Sequence, residues 1–193
     1  MRKYLLLALL IALAALVLLG GCEEDGEEVT EEPGEVEDGG EEGEPAAGDK
    51  AVDFTALGFD GETYQLSDFE GKLIFLNCFT TWCAPCKEEM PHLVSLAEEY
   101  ADQGFQLIFI KEDQGNDEAM QKMIDDFGIT QPVLLAGQPP LYENDDYWDF
   151  YNHGGSVPAT FVINADFELI KSETIIGARD EATFRALIEK YLP

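Results

Sequence analysis

Seven consecutive residues, Leu73 to Phe79 (LIFLNCF), offer six apolar side chains and a single amide, Asn77. A strand with one wet face alternates apolar and polar residues, whereas a run without alternation belongs to a strand covered on both faces. FQLIFI, Phe105 to Ile110, is a second strand of this kind. Between the two, Met90, Leu93, Val94, Ala97 and Tyr100 recur at helical spacing. Doubly buried strands joined by a helix restrict the chain to an α/β sheet covered on both faces. The residues between the first strand and its helix then fall at the C-terminal edge of that sheet, where open α/β folds place their chemistry.

The same patterning predicts the remaining elements. Asp53 to Leu66 (DFTALGFDGETYQL) reads as two short strands around Asp60-Gly61. Met120, Met123, Ile124 and Phe127 mark a second helix closed by Gly128, and Pro132 to Leu135 a short strand. Ala159 to Ile163 and Glu168 to Ile176 read as a hairpin turning at Asn164 to Phe167. Phe184, Leu187, Ile188 and Tyr191 form the stripe of a terminal helix. An acidic and aromatic stretch, Gln138 to Gly155, interrupts this order. Its rings (Tyr142, Tyr147, Trp148, Phe150 and Tyr151) are read as core or local packing, with a place along a substrate groove as the alternative.

Composition divides the chain after residues 21 and 49. Residues 1–21 have a short basic start (Arg2, Lys3) and then apolar and small residues, a secretory signal pattern. The run is also at the lower edge of a membrane span. LGGC, Leu19 to Cys22, favours the signal peptide because it resembles the lipobox of bacterial lipoproteins. That resemblance implies export, lipidation of Cys22 and an anchor on the outer face of a bacterial membrane. From Glu23 to Asp49, 14 of 27 residues are Asp or Glu and none is Lys or Arg. Residues 22–49 are therefore expected to be a lipid-anchored, disordered, extended linker. Residues 50–193 suffice for one domain. Their 26 acidic and 9 basic residues disfavour nucleic acid as a partner and favour a self-repelling monomer.

TTWCAPCKEEMP, Thr80 to Pro91, sets Cys83 and Cys86 three positions apart. Once Cys22 is assigned to the anchor, only Cys78 joins them, too few for the disulfide scaffold of a small exported domain. A structural zinc site needs four ligands. One C-x-x-C and two separate histidines, His92 and His153, do not make such a set, so no metal is expected. Copper delivery by the thiolates is a non-enzymatic alternative. Thr80-Thr81-Trp82-Cys83 matches the T-x-x-C of peroxiredoxins, which makes a thiol peroxidase another, although that motif carries a proline where this chain has Leu76. A redox dithiol explains more. Cys83 would sit at a helix N-terminus, with Pro85 in the first turn, where unpaired N–H groups and the helix dipole favour thiolate. Lowering its pKa from ~8.5 to ~7 raises the thiolate fraction at neutral pH from roughly 3% to roughly 50%.

WCAPC, Pro91 five residues after Cys86, and SVPATFVI (Ser156 to Ile163) together resemble the thioredoxin family. The order of DGETYQLSDFEGK, LNCFTTWCAPCKEEMP and GGSVPATFVI, followed by a final strand and helix, resembles its TlpA/ResA-like, AhpC/TSA-related, membrane-tethered branch over nearly all of residues 51–192. The resemblance implies a thioredoxin-like mixed sheet flanked by helices, with an N-terminal β-hairpin and a central insertion. It places Glu89 on the glutamate kept near the thiols and Asn77 on the buried aspartate site of cytoplasmic thioredoxins. It makes Val157-Pro158 a cis-proline loop. The implied roles are Cys83 as exposed nucleophile, Cys86 as the more buried resolving thiol and Glu89 as its proton acceptor. Trp82, Pro85, Val157 and Pro158 would line a shallow groove for an extended peptide. Cys78 is read as an inert packing thiol. The implied activity is reduction of protein disulfides, such as those of apocytochromes c. A membrane dithiol carrier would supply the electrons, and no cofactor is expected beyond the Cys83–Cys86 couple.

Overall fold

The computed structural model describes residues 48–193; the expected signal peptide, the expected anchor at Cys22 and the expected linker as far as residue 47 lie outside the described residues. Strand β1 (Asp49–Lys50) is already part of the main sheet, one residue before the boundary drawn from composition. The sheet continues with β4 (Leu73–Phe79), β5 (Phe105–Lys111), β6 (Val133–Leu135), β7 (Ala159–Ile163), β8 (Glu168–Leu169) and β9 (Ile175–Ile176). Its order is β1-β8-β7-β4-β5-β6, with β9 also paired to β7. β4 pairs in parallel with β5 and antiparallel with β7, so it is central and has no free edge. β2 (Thr55–Leu57) and β3 (Thr63–Gln65) form the separate hairpin, turning through Gly61 at φ +87°.

Every residue of β4 is buried. Each of its large apolar side chains contributes roughly 1.5–3 kcal/mol on burial. Leu73, Phe75 and Phe79 face one apolar cluster, while Ile74, Leu76 and Cys78 face the other. The first cluster is covered by α1 (Ala84–Glu99), α2 (Asp117–Phe127) and α4 (Glu181–Tyr191) through residues such as Met90, Met120 and Phe184. The second receives Ala56 of the hairpin and Leu141, Tyr147 and Tyr151 of the insertion, which holds the short helix α3 (Asp145–Phe150). The aromatic insertion thus acts as cover on the face opposite the three longer helices. Tyr147 and Tyr151 set their rings edge-on to Phe54, and the Tyr151 hydroxyl donates to the carbonyl of Val52. Tyr142, by contrast, is exposed.

The expected hairpin partner from Glu168 to Ile176 is not continuous. β8 and β9 both lie against β7, and a 3-10 turn at Lys171–Glu173 separates them. The five residues between them, Ile170 to Thr174, carry four polar side chains in a row and could not keep one face buried in an unbroken strand. Gly128 closes α2 in the left-handed region, as its position after Phe127 predicts. Among the described residues no helix is long and apolar enough to cross a membrane.

Truncation separates the insertion's two kinds of ring. Tyr151→Ala should lower unfolding stability by about 3–5 kcal/mol, as for other large buried aromatics, and Tyr142→Ala should change it by less than about 0.5 kcal/mol. Urea melts of both variants check this.

Candidate active site

β4 ends at Phe79, and α1 begins five residues later, at Ala84. Thr81 fixes that connection: its backbone N–H and hydroxyl donate to the Asp113 carboxylate at 3.0 and 2.7 Å. Burial opposes ionisation of Asp113, but hydrogen bonds from Thr81 and Asn116 and the charge of Lys111 hold its carboxyl below the ordinary range. Cys83 is the N-cap of α1, and its sulfur accepts from the backbone N–H of Cys86 at 3.2 Å. Pro85, exposed, sits in the first turn, where its missing N–H leaves no helical bond unmade. Pro91 lies inside the helix.

Cys83 and Cys86 are joined in a disulfide, with Cα atoms 5.4 Å apart. The expectation of an exposed Cys83 is corrected. In this oxidised state Cys83 is 4% and Cys86 1% exposed, and both pack into the cluster under α1. The exposed neighbour is Trp82, at 70%. The Val157–Pro158 peptide is cis. Val157 is half-buried against the same cluster as the two sulfurs, and Pro158 is buried with its carbonyl accepting from Gly177. Since Cys78 pairs with Ala159 across the sheet, the next residue back, Pro158, comes to the edge where β4 delivers its C-terminus.

Glu89 lies one helical turn beyond Cys86 and is 2% exposed. One carboxylate oxygen accepts from the Asn77 side chain at 2.9 Å and the other from the backbone N–H of Arg179 at 3.1 Å. Asn77 also donates to Thr160 on β7. The single amide in an apolar strand is therefore the floor that holds Glu89. Burial pushes the Glu89 pKa up, and the two hydrogen bonds only partly offset it. Sequence reasoning located Asn77 and Glu89 separately but missed Arg179 and Thr160, whose contacts are made over separations of 90 and 83 residues.

A second polar group lies nearby on the opposite face. His153 is not isolated: Nε2 lies 2.7 Å from the Glu112 carboxylate and Nδ1 2.9 Å from the carbonyl oxygen of Ser156, next to the cis-proline loop. The Glu112 hydrogen bond holds the His153 pKa above its ordinary value, against burial. Cys78 is a free, buried thiol whose pKa burial pushes well up. His92 stands on the surface 3.5 Å from Glu181.

Residues 47–172 match the AhpC/TSA family. The chain belongs to that family. Similar proteins include the thiol-disulfide oxidoreductase ResA of Halalkalibacterium halodurans, 32% identical over 76% of this chain and 78% of the relative. The ResA of Oceanobacillus iheyensis is 36% identical over 68% and 65% of the two chains. Among solved structures, a thiol:disulfide interchange protein of the thioredoxin family from Chlorobium tepidum is 29% identical, with a TM-score of 0.66 over 77% of this chain and 99% of that one. This AhpC/TSA chain is a thiol–disulfide oxidoreductase with a thioredoxin-like fold.

The raised Glu89 pKa has a definite sign for stability. Folded Glu89 holds its proton more tightly than unfolded Glu89, so its contribution is full below the unfolded value and is lost as pH rises through the folded one. Glu89→Gln cannot titrate. The melting temperature of Glu89→Gln minus that of wild type, both oxidised, should therefore climb as pH rises from the unfolded Glu89 value through the raised folded one, and then level off. A flat or falling difference would contradict the burial argument.

Proposed function

We propose that this chain is an exported, membrane-tethered reductase of protein disulfides. The observation that carries the reading is a Cys83–Cys86 couple capping α1, with a buried, doubly hydrogen-bonded carboxyl one turn further along the same helix. In the reduced protein the Cys83 thiolate, supported by the Cys86 N–H and the helix N-terminus, attacks one sulfur of a substrate disulfide. The substrate's other sulfur leaves as a thiolate and takes up a proton. Cys86 then gives its proton to Glu89 and attacks Cys83, releasing the second substrate thiol. Two electrons pass to the substrate, and the Cys83–Cys86 disulfide remains. A carboxyl with a raised pKa suits this exchange, because it holds an accepted proton more tightly than a solvated glutamate would.

Trp82, Pro85, Val157 and Pro158 form the groove for an extended peptide, with Trp82 as the exposed apolar contact. The LGGC segment supports a lipid anchor at Cys22, and the acidic linker supports a spacer between membrane and domain. Both stand on sequence. Re-reduction falls to a membrane dithiol donor, and oxidised C-x-x-C-H segments of apocytochromes c are the proposed substrates. The couple itself carries the electrons, without a further cofactor, in a monomer. Reduction rather than oxidation follows the TlpA/ResA-like resemblance.

Two measurements test this. Cys83→Ser should abolish turnover of a disulfide-bonded C-x-x-C-H peptide, whereas Cys86→Ser should trap one equivalent of peptide as a mixed disulfide visible by intact mass. Turnover by Cys83→Ser would overturn the assignment. Equilibration with dithiothreitol should place the couple nearer the about −270 mV of thioredoxin than the about −120 mV of a strong oxidant. A value at the oxidising end would reverse the direction of flow.

A further inference from the structure

Cys78 Sγ, a Glu112 carboxylate oxygen and a His153 ring nitrogen all lie within 4.8 Å of one another. They come from β4, from the residue after β5 and from the loop before β7. None has a part in the exchange chemistry at Cys83 and Cys86. The Cys78 sulfur is fully buried, and its neighbour in hydrogen-bond range is the Tyr147 hydroxyl at 3.9 Å.

The hydrogen bonds of His153 define what this group needs. The Ser156 carbonyl can only accept, so Nδ1, 2.9 Å away, must carry a hydrogen. In the neutral ring Nε2 is then a bare lone pair, yet it faces a carboxylate oxygen at 2.7 Å. Two lone pairs at that distance repel. A positive centre has to be shared between them, either a proton on Nε2 or a cation bound to both.

We infer that Cys78, Glu112 and His153 form a site for a divalent cation of the zinc class, in exchange for two protons. Thiolate, imidazole and carboxylate are the donors such ions take, and the Nδ1–H···O=C bond to Ser156 is the outer contact that fixes a ligating histidine's tautomer. Charge balances across the exchange. Neutral thiol, carboxylate and imidazolium sum to zero, as do thiolate, carboxylate, neutral imidazole and a doubly charged ion. Filling the site therefore buries no new net charge. Glu112 and His153 also line a cleft of about 330 Å³ open to solvent, which gives an entry path and leaves room for a water as fourth ligand. Bonds of roughly 2.0–2.3 Å space tetrahedral ligand atoms about 3.3–3.8 Å apart, so the 2.7 Å Glu112–His153 pair opens by about half an ångström and the sulfur, within 4.8 Å of both, closes by at most about 1.5 Å. This inference does not depend on the direction of electron flow proposed above.

The test is titration of the oxidised full chain with Co(II), the Cys83–Cys86 disulfide being verified by mass so that those sulfurs cannot compete. One equivalent should give a near-ultraviolet thiolate-to-cobalt band that Zn(II) abolishes, with about two protons released per ion in unbuffered solution. Cys78→Ser should lose the band, His153→Gln should weaken binding at least tenfold, and Cys22→Ser should leave it unchanged. Glutamine at 153 keeps a polar side chain there, and unchanged far-ultraviolet circular dichroism establishes that each variant is folded. Absence of the band overturns the site, as does a band that survives in Cys78→Ser or appears only after Cys83–Cys86 is reduced. Oxygen-only binding to the acidic segment gives no such band and counts against it equally.

Discussion

The central strand β4 has neither a free edge nor a free face, and the site is organised around that enclosure. Both neighbours of β4 are hydrogen-bonded to it, both surfaces are packed with side chains, and the chain can leave only at the end. The residues that leave there are Thr80 to Cys86. Polar groups pointing sideways from such a strand must find partners within the protein, since an unpaired buried group costs about 1–3 kcal/mol. Asn77 finds them in Glu89 and Thr160, so helix, strand and neighbouring strand are tied at the level of the disulfide.

Glu89 shows how opposing effects set a functional group. Two hydrogen-bond donors favour its charged form, and loss of water disfavours it; burial is the larger effect. In the proposed exchange, a solvated glutamate would hold the thiol proton less tightly than a buried one. Without the Asn77 and Arg179 contacts, burial would push the Glu89 pKa up further. The position between these extremes comes from residues scattered across the chain rather than from the helix that carries Glu89.

Where a feature rests on local pattern, the sequence displayed it: β4, α1, the Gly128 stop and the C-x-x-C at the strand–helix junction all follow from spacing and residue type. The hairpin at Asp60-Gly61 did as well. The break between β8 and β9 was hidden because Ile170 and Ile175-Ile176 suggest one strand while the polar residues between them demand a turn. His153 looked solitary because Glu112 is 41 residues away and Cys78 reads as one more apolar residue in its strand. Arg179 contributes through its backbone N–H, which any residue except proline could supply, so its identity carried no signal.

Glu112 and Asp113 are consecutive, yet their carboxylates take partners from different segments of the chain. Asp113 takes Thr81, beside Trp82, while Glu112 takes His153, beside Ser156 and the Val157–Pro158 peptide. The strand–helix connection that carries Trp82 and the loop that leads into the cis peptide are thus each held by one of two neighbouring carboxylates just past the end of β5.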